Sequence, residues 1–269
     1  MTEGSVATEV DTVLADRRGG VLVLTLNRPD RLNAWNSAME SRYFSLLDEA
    51  ERDGDVRAIV VTGAGRGFCA GADMDDLQVV AGADEQTLPV RQVPCHRPLL
   101  LAKPLIAAVN GAAAGLGFVQ AMYADMRFTS PDVKFTTAFA RRGLIAEYGI
   151  AWLLPRLVGQ SAASDLLLSG RIVKGHEALE MGLVDRVVEP DQLLEETVAY
   201  AQELAAFSSP AAMKAIKAQL LQAQQSSFLE AVADADARML ESFQHPDLAE
   251  GVSSHLERRG PRFAGLAGS

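Results

Sequence analysis

The chain has 269 residues, a formal net charge of −10 and 48% hydrophobic against 22% charged residues, which is the composition of an ordinary globular protein with a sizeable core. The acidic balance argues against nucleic acid as a partner, because phosphate binding needs clustered lysine and arginine. No run of about 18 apolar residues occurs, so we expect no transmembrane helix and no membrane partner. Cys69 and Cys95 lack the spacing of a metal site and need not be paired, which suits a reducing cytoplasm.

The first half of the sequence predicts strands that alternate with helices. The predicted strands are Val21–Leu26, 58–62 and 104–109. Asn36 or Ser37 is placed to cap a helix that runs to about Arg52. Strands and helices at this spacing indicate parallel ββα units, and hence an α/β fold.

The second half is predicted to be mostly helical, with one interrupting strand at 183–188. The predicted helices are 149–158, 161–168, 174–181, 191–207, 210–224, 228–243 and 247–258. Residues 75–98 show weak periodicity, and we interpret them as a mobile or partly helical loop beside a ligand site. We expect an α/β core over residues 1–200 and a C-terminal helical region over residues 201–269. The amphipathic, alanine-rich helices of this region suit an assembly surface, although packing within the chain explains them equally well.

Two glycine-bracketed segments, 67–73 and 110–117, each follow an apolar strand. Small residues let a ligand approach backbone amides, and the second segment precedes a predicted helix start, where amides lack intrahelical partners. One amide from each segment would form an oxyanion hole, which is worth about 3–4 kcal/mol per donor toward a developing negative charge. Either segment alone is equally typical of an ordinary strand-to-helix turn.

Both segments resemble those of the enoyl-CoA hydratase/isomerase (crotonase) family. Further matches, in family order, are Lys103-Pro104 and the stretches 143–149, 154–159 and 178–184. The resemblance implies a crotonase-type spiral of ββα units whose C-terminal helices form homotrimers or dimers of trimers. It also implies an acyl-CoA thioester as the ligand, no separate cofactor or metal, and an oxyanion hole built from the amides of Cys69 and Leu116.

The same resemblance implies a CoA pocket. Its residues are Arg28, Arg31, Leu32, Ala70, Asp73 and Phe263. Arg28 and Arg31 would supply positive charge for the phosphates, although either one alone is equally an exposed turn arginine. Phe263 matches a C-terminal aromatic residue that reaches the CoA site of a neighbouring subunit.

The positions of the two catalytic glutamates of the family's hydratases are Val119 and Phe139 here, and neither side chain can transfer a proton. Glu147 lies where some isomerases of the family place a catalytic aspartate. Apolar walls around it would raise the pKa of its carboxyl toward a useful range. The alternative is that Glu147 only favours a helix N-terminus or pairs with Arg141 or Arg142.

These features predict an enzyme that shifts a double bond of an enoyl-CoA with Glu147 as acid and base, because one carboxylate can remove a proton at one carbon and return it at another. The alternatives are a hydratase that uses Glu147 alone and a trimer that binds acyl-CoA without catalysis. His96 is a weaker candidate base. The carboxylates at 73, 75 and 76 are expected to cap and charge a helix rather than to bind metal.

Overall fold

The computed structural model describes residues 12–80 and 93–266. Within these ranges the strands are β1 Val13–Arg18, β2 Val21–Leu26, β3 Ala58–Gly63, β4 Gly67–Cys69, β5 Leu105–Val109, β6 Ala112–Ala114, β7 Met126–Thr129, β8 Lys134–Thr136, β9 Val173–Lys174 and β10 Arg186–Val187. The α-helices there are α1 Ser37–Arg52, α2 Met74–Val80, α3 Leu116–Met122, α4 Ile150–Ser169, α5 Gly175–Glu180, α6 Leu193–Phe207, α7 Pro210–Ala223, α8 Phe228–Gln244 and α9 Pro246–Glu257.

The strands form two sheets. The larger has the order β1-β2-β3-β5-β7-β10, and the smaller has the order β4-β6-β8-β9. Pairing is parallel except between β1 and β2 and between β8 and β9. Because β3 leads into β4 and β5 leads into β6, the chain passes repeatedly from the larger sheet to the smaller one.

Alternating side chains of the larger sheet enter two separate hydrophobic layers. On β3, Ala58 and Val60 face the layer that includes α6, whereas Ile59 and Val61 belong to the main core. The main core also takes in α1, α3 and α4. All six residues of β3 are buried, as expected for a central strand covered on both faces.

The capping and strand predictions of the first half are confirmed. The Asn36 side chain accepts a hydrogen bond of 2.9 Å from the amide of Met39, and α1 ends at Arg52. The strands β2, β3 and β5 lie where they were predicted, with ends that differ by one residue at most. The edge strand β1 was not predicted, because most of its side chains are exposed and carry no hydrophobic alternation.

Two helices predicted at 149–158 and 161–168 are the two arms of α4, which bends at Gly159 (φ 78°, ψ 160°). The strand predicted at 183–188 is wrong over its first half. The amides of Leu183 and Val184 both donate to the carbonyl of Ala178, so they close the end of α5, and β10 contains only Arg186–Val187.

The helices α7, α8 and α9 follow α6 at the C-terminal end. Lys217 of α7 pairs with Asp125 and donates to the carbonyl of Lys103, so α7 is held against the core. The predicted boundary near residue 200 lies within α6, which packs on the larger sheet, and the division into two regions stays a prediction. In the described ranges, no helix has the length and apolar character needed to cross a bilayer.

Candidate active site

The two glycine segments lie side by side in the smaller sheet. Strands β4 and β6 are parallel neighbours, with Cys69 opposite Ala113. The chain then turns at Gly115 into α3, whose first residue is Leu116. A Cβ atom added to Gly117 would lie 2.1 Å from the carbonyl oxygen of Cys69, so the first turn of α3 rests directly on the backbone of β4. The segments that carry the two predicted amide donors therefore converge.

A second close approach joins the segments one step further on. Gly71 has a φ of +101°, which side-chain-bearing residues rarely adopt, and a Cβ atom there would lie 2.9 Å from the carbonyl oxygen of Ala114. The turn after β4 thus depends on glycine both for its backbone angle and for its contact with β6.

Two asparagine side chains fix the turn that leads into β4. Asn33 is fully buried, and its Nδ2 donates to the carbonyls of Ala64 (3.0 Å) and Gly67 (2.8 Å). Asn110 Oδ1 accepts from the amide of Gly63 at 3.0 Å, and its Nδ2 donates to the Gly63 carbonyl at 2.8 Å. Each amide satisfies backbone groups that β3 and β4 leave unpaired where they separate. Sequence reasoning did not identify these roles, because the partners become neighbours only in the folded chain.

Four of the predicted CoA-pocket residues are brought together. The amide of Ala70 donates to the carbonyl of Leu32 at 3.0 Å. Trp35 pairs with Ala72 in an isolated parallel bridge, and the amide of Asp73 donates to the carbonyl of Trp35 at 2.9 Å. The turn 32–35 therefore lies along 70–73 and is joined to it by backbone hydrogen bonds.

Arg28 and Arg31 occupy different environments. Arg28 lies 2.8 Å from the Asp73 carboxylate, both side chains being largely buried, and it also donates to the carbonyl of Ala34. Arg31 is 61% exposed and lies 3.6 Å from Asp75, which is 73% exposed. Arg28 is thus committed to contacts within the protein, and Arg31 is the more accessible charge.

The Arg28–Asp73 pair has an electrostatic consequence. Burial by itself raises the pKa of the Asp73 carboxyl, but the hydrogen bonds from Arg28 and from the amide of Asp75, together with the Arg28 charge, hold that pKa below its usual range. Asp73 directly precedes α2, as the predicted helix cap requires. Residues 12–80 and 93–266 contain no group of three acidic, histidine or cysteine side chains suited to a metal ion.

Phe263 lies in the C-terminal segment that follows α9. Its ring lies beside Gly251 of α9, and its carbonyl accepts a hydrogen bond of 2.6 Å from Arg57. Its predicted contact with a neighbouring subunit's CoA stays a prediction.

Hydrocarbon side chains occupy both positions that the resemblance aligns with the two glutamates of the hydratases. Val119 is 0% and Phe139 is 3% exposed, and both belong to the main core. The thiol of Cys69 is also buried, and burial raises its pKa to about 12, so this side chain is not a nucleophile at neutral pH. Any contribution of Cys69 comes from its backbone.

Glu147 is half-buried and stands at the start of an unusual turn. The next two residues, Tyr148 (φ 55°) and Gly149 (φ 73°), are both left-handed, and α4 begins at Ile150. A left-handed tyrosine costs about 1–2 kcal/mol, so other contacts must hold this turn. Arg141, one of the two arginines considered as a partner for Glu147, donates its Nε to the carbonyl of Ser169 at 2.7 Å.

His96, the weaker candidate base, lies in the sequence between the two glycine segments 67–73 and 110–117. His96 is exposed and precedes a 3-10 turn at Arg97–Leu100. The predicted loop 75–98 begins with α2, and its residues 81–92 lie outside the described part of the chain.

Comparison with known proteins gives one consistent family. The model of the enoyl-CoA hydratase/isomerase family matches residues 16–266. A 1,2-epoxyphenylacetyl-CoA isomerase of Escherichia coli is 35% identical, with 95% of this chain and 99% of that protein covered. A short-chain-enoyl-CoA hydratase of Clostridium acetobutylicum is 33% identical, with 93% and 97% covered.

Solved structures agree in fold. An enoyl-CoA hydratase of Mycobacterium tuberculosis superposes with a TM-score of 0.86 at 31% identity, covering 95% of this chain and all of that one. A probable enoyl-CoA hydratase/isomerase of Mycobacterium abscessus gives 0.84 at 31% identity, covering 94% and 99%. The predicted crotonase-type α/β fold is confirmed.

Proposed function

Because the chain belongs to the enoyl-CoA hydratase/isomerase family and is an acyl-CoA enzyme of that family, we propose that it shifts the double bond of a 3-enoyl-CoA to the 2-position. The observation that carries this proposal is that Val119 and Phe139 are both buried in the core, whereas the carboxylate at Glu147 is half-buried. The usual hydratase arrangement, in which two carboxylates hold one water, has no counterpart at those two positions.

In the proposed reaction the thioester carbonyl accepts hydrogen bonds from the amides of Cys69 and Leu116. Glu147 removes a proton from C2, which leaves a dienolate whose charge rests on the thioester oxygen. The protonated Glu147 then delivers the proton to C4, so the double bond moves from C3–C4 to C2–C3 and the carboxylate is regenerated. Each amide contributes about 3–4 kcal/mol toward the enolate, and the positioned carboxylate contributes about 10²–10⁴-fold in rate.

Apolar side chains in the main core support an isomerase rather than a hydratase. Phe139 and Val119 present hydrocarbon where a hydratase would bind water, and Trp152 and Tyr148 pack against the same core. Side chains of this kind disfavour the entry of a water nucleophile.

For the CoA moiety we propose that Arg31 meets a phosphate, while Arg28 and Asp73 support the pocket wall. The difference in exposure between the two arginines supports this assignment. No cofactor beyond the CoA thioester is needed for the proposed chemistry. Cys69 and Cys95 are both buried and form no disulfide, which supports a reducing compartment that we take to be the cytoplasm.

We further propose that the chain forms a homotrimer, alone or as a dimer of trimers. The support comes from large apolar side chains that are exposed along the C-terminal helices. They are Ile216, Leu220, Phe228, Leu229, Val232, Met239, Leu240, Phe243, Leu248, Val252 and Leu256. Exposed apolar side chains in this number are typical of protein–protein contacts.

The test of the catalytic proposal is incubation of the purified chain with a panel of 2-enoyl, 3-enoyl and dienoyl-CoA thioesters, with products identified by mass and double-bond position. Conversion of a 3-enoyl-CoA into a product of equal mass is expected. A product heavier by one water would instead favour a hydratase that uses Glu147 alone, a reading that the name of the Clostridium relative supports. Binding of every thioester without conversion would favour the non-catalytic trimer.

A further inference from the structure

A tyrosine hydroxyl joins the turn that carries Glu147 to the end of α3. Tyr123, the residue that ends α3, donates its phenolic hydroxyl to the carbonyl of Tyr148. The Tyr123 side chain is 3% exposed and belongs to the main core, so its ring is held firmly in place. The hydrogen bond therefore joins a rigid element to the left-handed residue that follows Glu147.

The backbone on either side of this contact leaves the turn few alternatives. Tyr148 and Gly149 are both left-handed, an uncommon conformation for a bulky residue such as Tyr148. The carbonyl of Glu147 accepts from the amide of Ile150, and α4 starts there. Rotation of the peptide that follows Tyr148 would break its carbonyl's bond to Tyr123 and would move Glu147 relative to α4.

The other end of α3 carries the second predicted oxyanion amide, at Leu116. Tyr123 lies seven positions after Leu116 on the same helix, which is about 10 Å at the α-helical rise. One short helix thus supports both the oxyanion donor and the turn of the proton carrier.

We propose that the Tyr123 hydroxyl is a positioning group, which sets the orientation of Glu147 toward the carbon atoms next to the oxyanion hole. This inference rests on the proposed role of Glu147 as acid and base. Tyr123 itself touches no substrate and transfers no proton. Its effect reaches the reaction only through the peptide of Tyr148.

The test is Tyr123→Phe, which keeps the ring in the core and removes only the hydroxyl. The matched control is Tyr43→Phe, since Tyr43 of α1 is 1% exposed and contacts Trp35 and Phe44 rather than the Glu147 turn. With the 3-enoyl-CoA that wild type converts fastest, we expect kcat of Tyr123→Phe to fall about 10- to 100-fold, the cost of a misplaced catalytic group. The dissociation constant for the saturated acyl-CoA of equal length should stay within about twofold for both variants, because the hydroxyl makes no ligand contact.

A double-mutant cycle with Glu147→Gln separates positioning from general structural damage. If Tyr123 acts only through Glu147, its substitution causes no further loss of kcat in the Glu147→Gln background. Equal losses in both backgrounds would overturn the inference, as would a kcat for Tyr123→Phe that matches the Tyr43→Phe control. Wild-type kcat in Glu147→Gln, or no conversion of any thioester by wild type, would overturn the proposed function and the Tyr123 role together.

Discussion

Gly117 lies against Cys69 so closely that any side chain at position 117 would overlap the Cys69 carbonyl, since an added Cβ would be 2.1 Å from that oxygen. This contact sets the distance between β4 and the first turn of α3. The two amides proposed to form the oxyanion hole come from these two elements. The width of the proposed hole therefore depends on a residue that contributes no functional group.

Replacing Gly117 with alanine should push α3 away from β4. We expect a loss of about 1–3 kcal/mol in the free energy of unfolding, as for other overpacked sites. We also expect kcat to fall about 10²-fold, because misplacing one donor resembles removing it. Thermal unfolding and turnover of a 3-enoyl-CoA measure the two effects.

Gly260→Ala is the matched control for this substitution. An added Cβ at Gly260 would meet only the Phe207 ring, at 3.8 Å, an ordinary contact distance. Turnover in that variant should equal wild type. A Gly117→Ala enzyme with unchanged turnover would contradict the proposed oxyanion hole.

Replacing Glu147 with glutamine keeps the shape of the side chain and removes its basicity. Isomerase turnover should fall roughly 10²-fold or more, whereas the affinity for a saturated acyl-CoA should change little, because the amides and the CoA pocket remain. Glu180→Gln, on the exposed face of α5, controls for the loss of one negative charge. Turnover near wild type in Glu147→Gln would contradict the role of Glu147 and favour another base, such as His96.

Local signals in the sequence were sufficient for the elements that depend on neighbouring residues. Asn36 caps α1 and the apolar run Val21–Leu26 forms β2, as predicted. Position 183 was misread because an apolar Leu-Val pair is compatible with a strand, and only the contact with the Ala178 carbonyl shows that it closes a helix. Edge strand β1 carries no apolar alternation and was missed for that reason.

In the candidate site, too, contacts between residues far apart in the sequence could not be predicted. The two glycine segments could be paired in advance because each follows a strand and the family resemblance aligns them. The hydrogen bonds of Asn33 to Gly67 and of Tyr123 to Tyr148 join residues 34 and 25 positions apart, respectively. No local pattern predicts such bonds, because their partners become neighbours only after the sheets have packed.

The two arginines of the CoA segment should respond differently to replacement by alanine. Arg31→Ala should weaken acyl-CoA binding by about fivefold, in keeping with the ~1 kcal/mol of an exposed charge pair, and leave the melting temperature unchanged. Arg28→Ala should cost roughly 1–3 kcal/mol of folding free energy, because Asp73 loses its partner while largely buried. Calorimetric titration with a saturated acyl-CoA and urea unfolding measure these effects. The reverse outcome would assign the phosphate contact to Arg28.

Acid should weaken the fold in part through Asp73. The pKa of its carboxyl is lower in the folded than in the unfolded chain, so its contribution is present above about pH 4 and is lost as the pH falls through the folded-state pKa. The Asp73→Asn variant should therefore be less stable than wild type at pH 7, and the difference should shrink toward pH 3. Urea unfolding across this range tests the sign. A difference that grows on acidification would contradict the assigned ion pair.

We expect one apolar face of α8 to form the contact between subunits. Leu229, Val232, Leu240 and Phe243 recur at helical spacing and are all exposed, with Leu229 at 76% and Leu240 at 64%. An apolar stripe of this kind would be costly to leave in water. We therefore expect light scattering at micromolar concentration to give the mass of a trimer or of twice a trimer.

Replacing Leu240 with glutamate places a charge in the centre of the stripe and should shift the chain toward monomer, because burying an unpaired carboxylate is strongly unfavourable. Leu14→Glu is the control, since Leu14 is exposed on edge strand β1, outside the C-terminal helices. If the CoA site is shared between subunits, Leu240→Glu should also weaken acyl-CoA binding, and Phe263→Ala should weaken it in the trimer. A wild-type monomer at these concentrations would contradict both the trimer and the shared site, because Phe263 would then have no neighbouring pocket to reach.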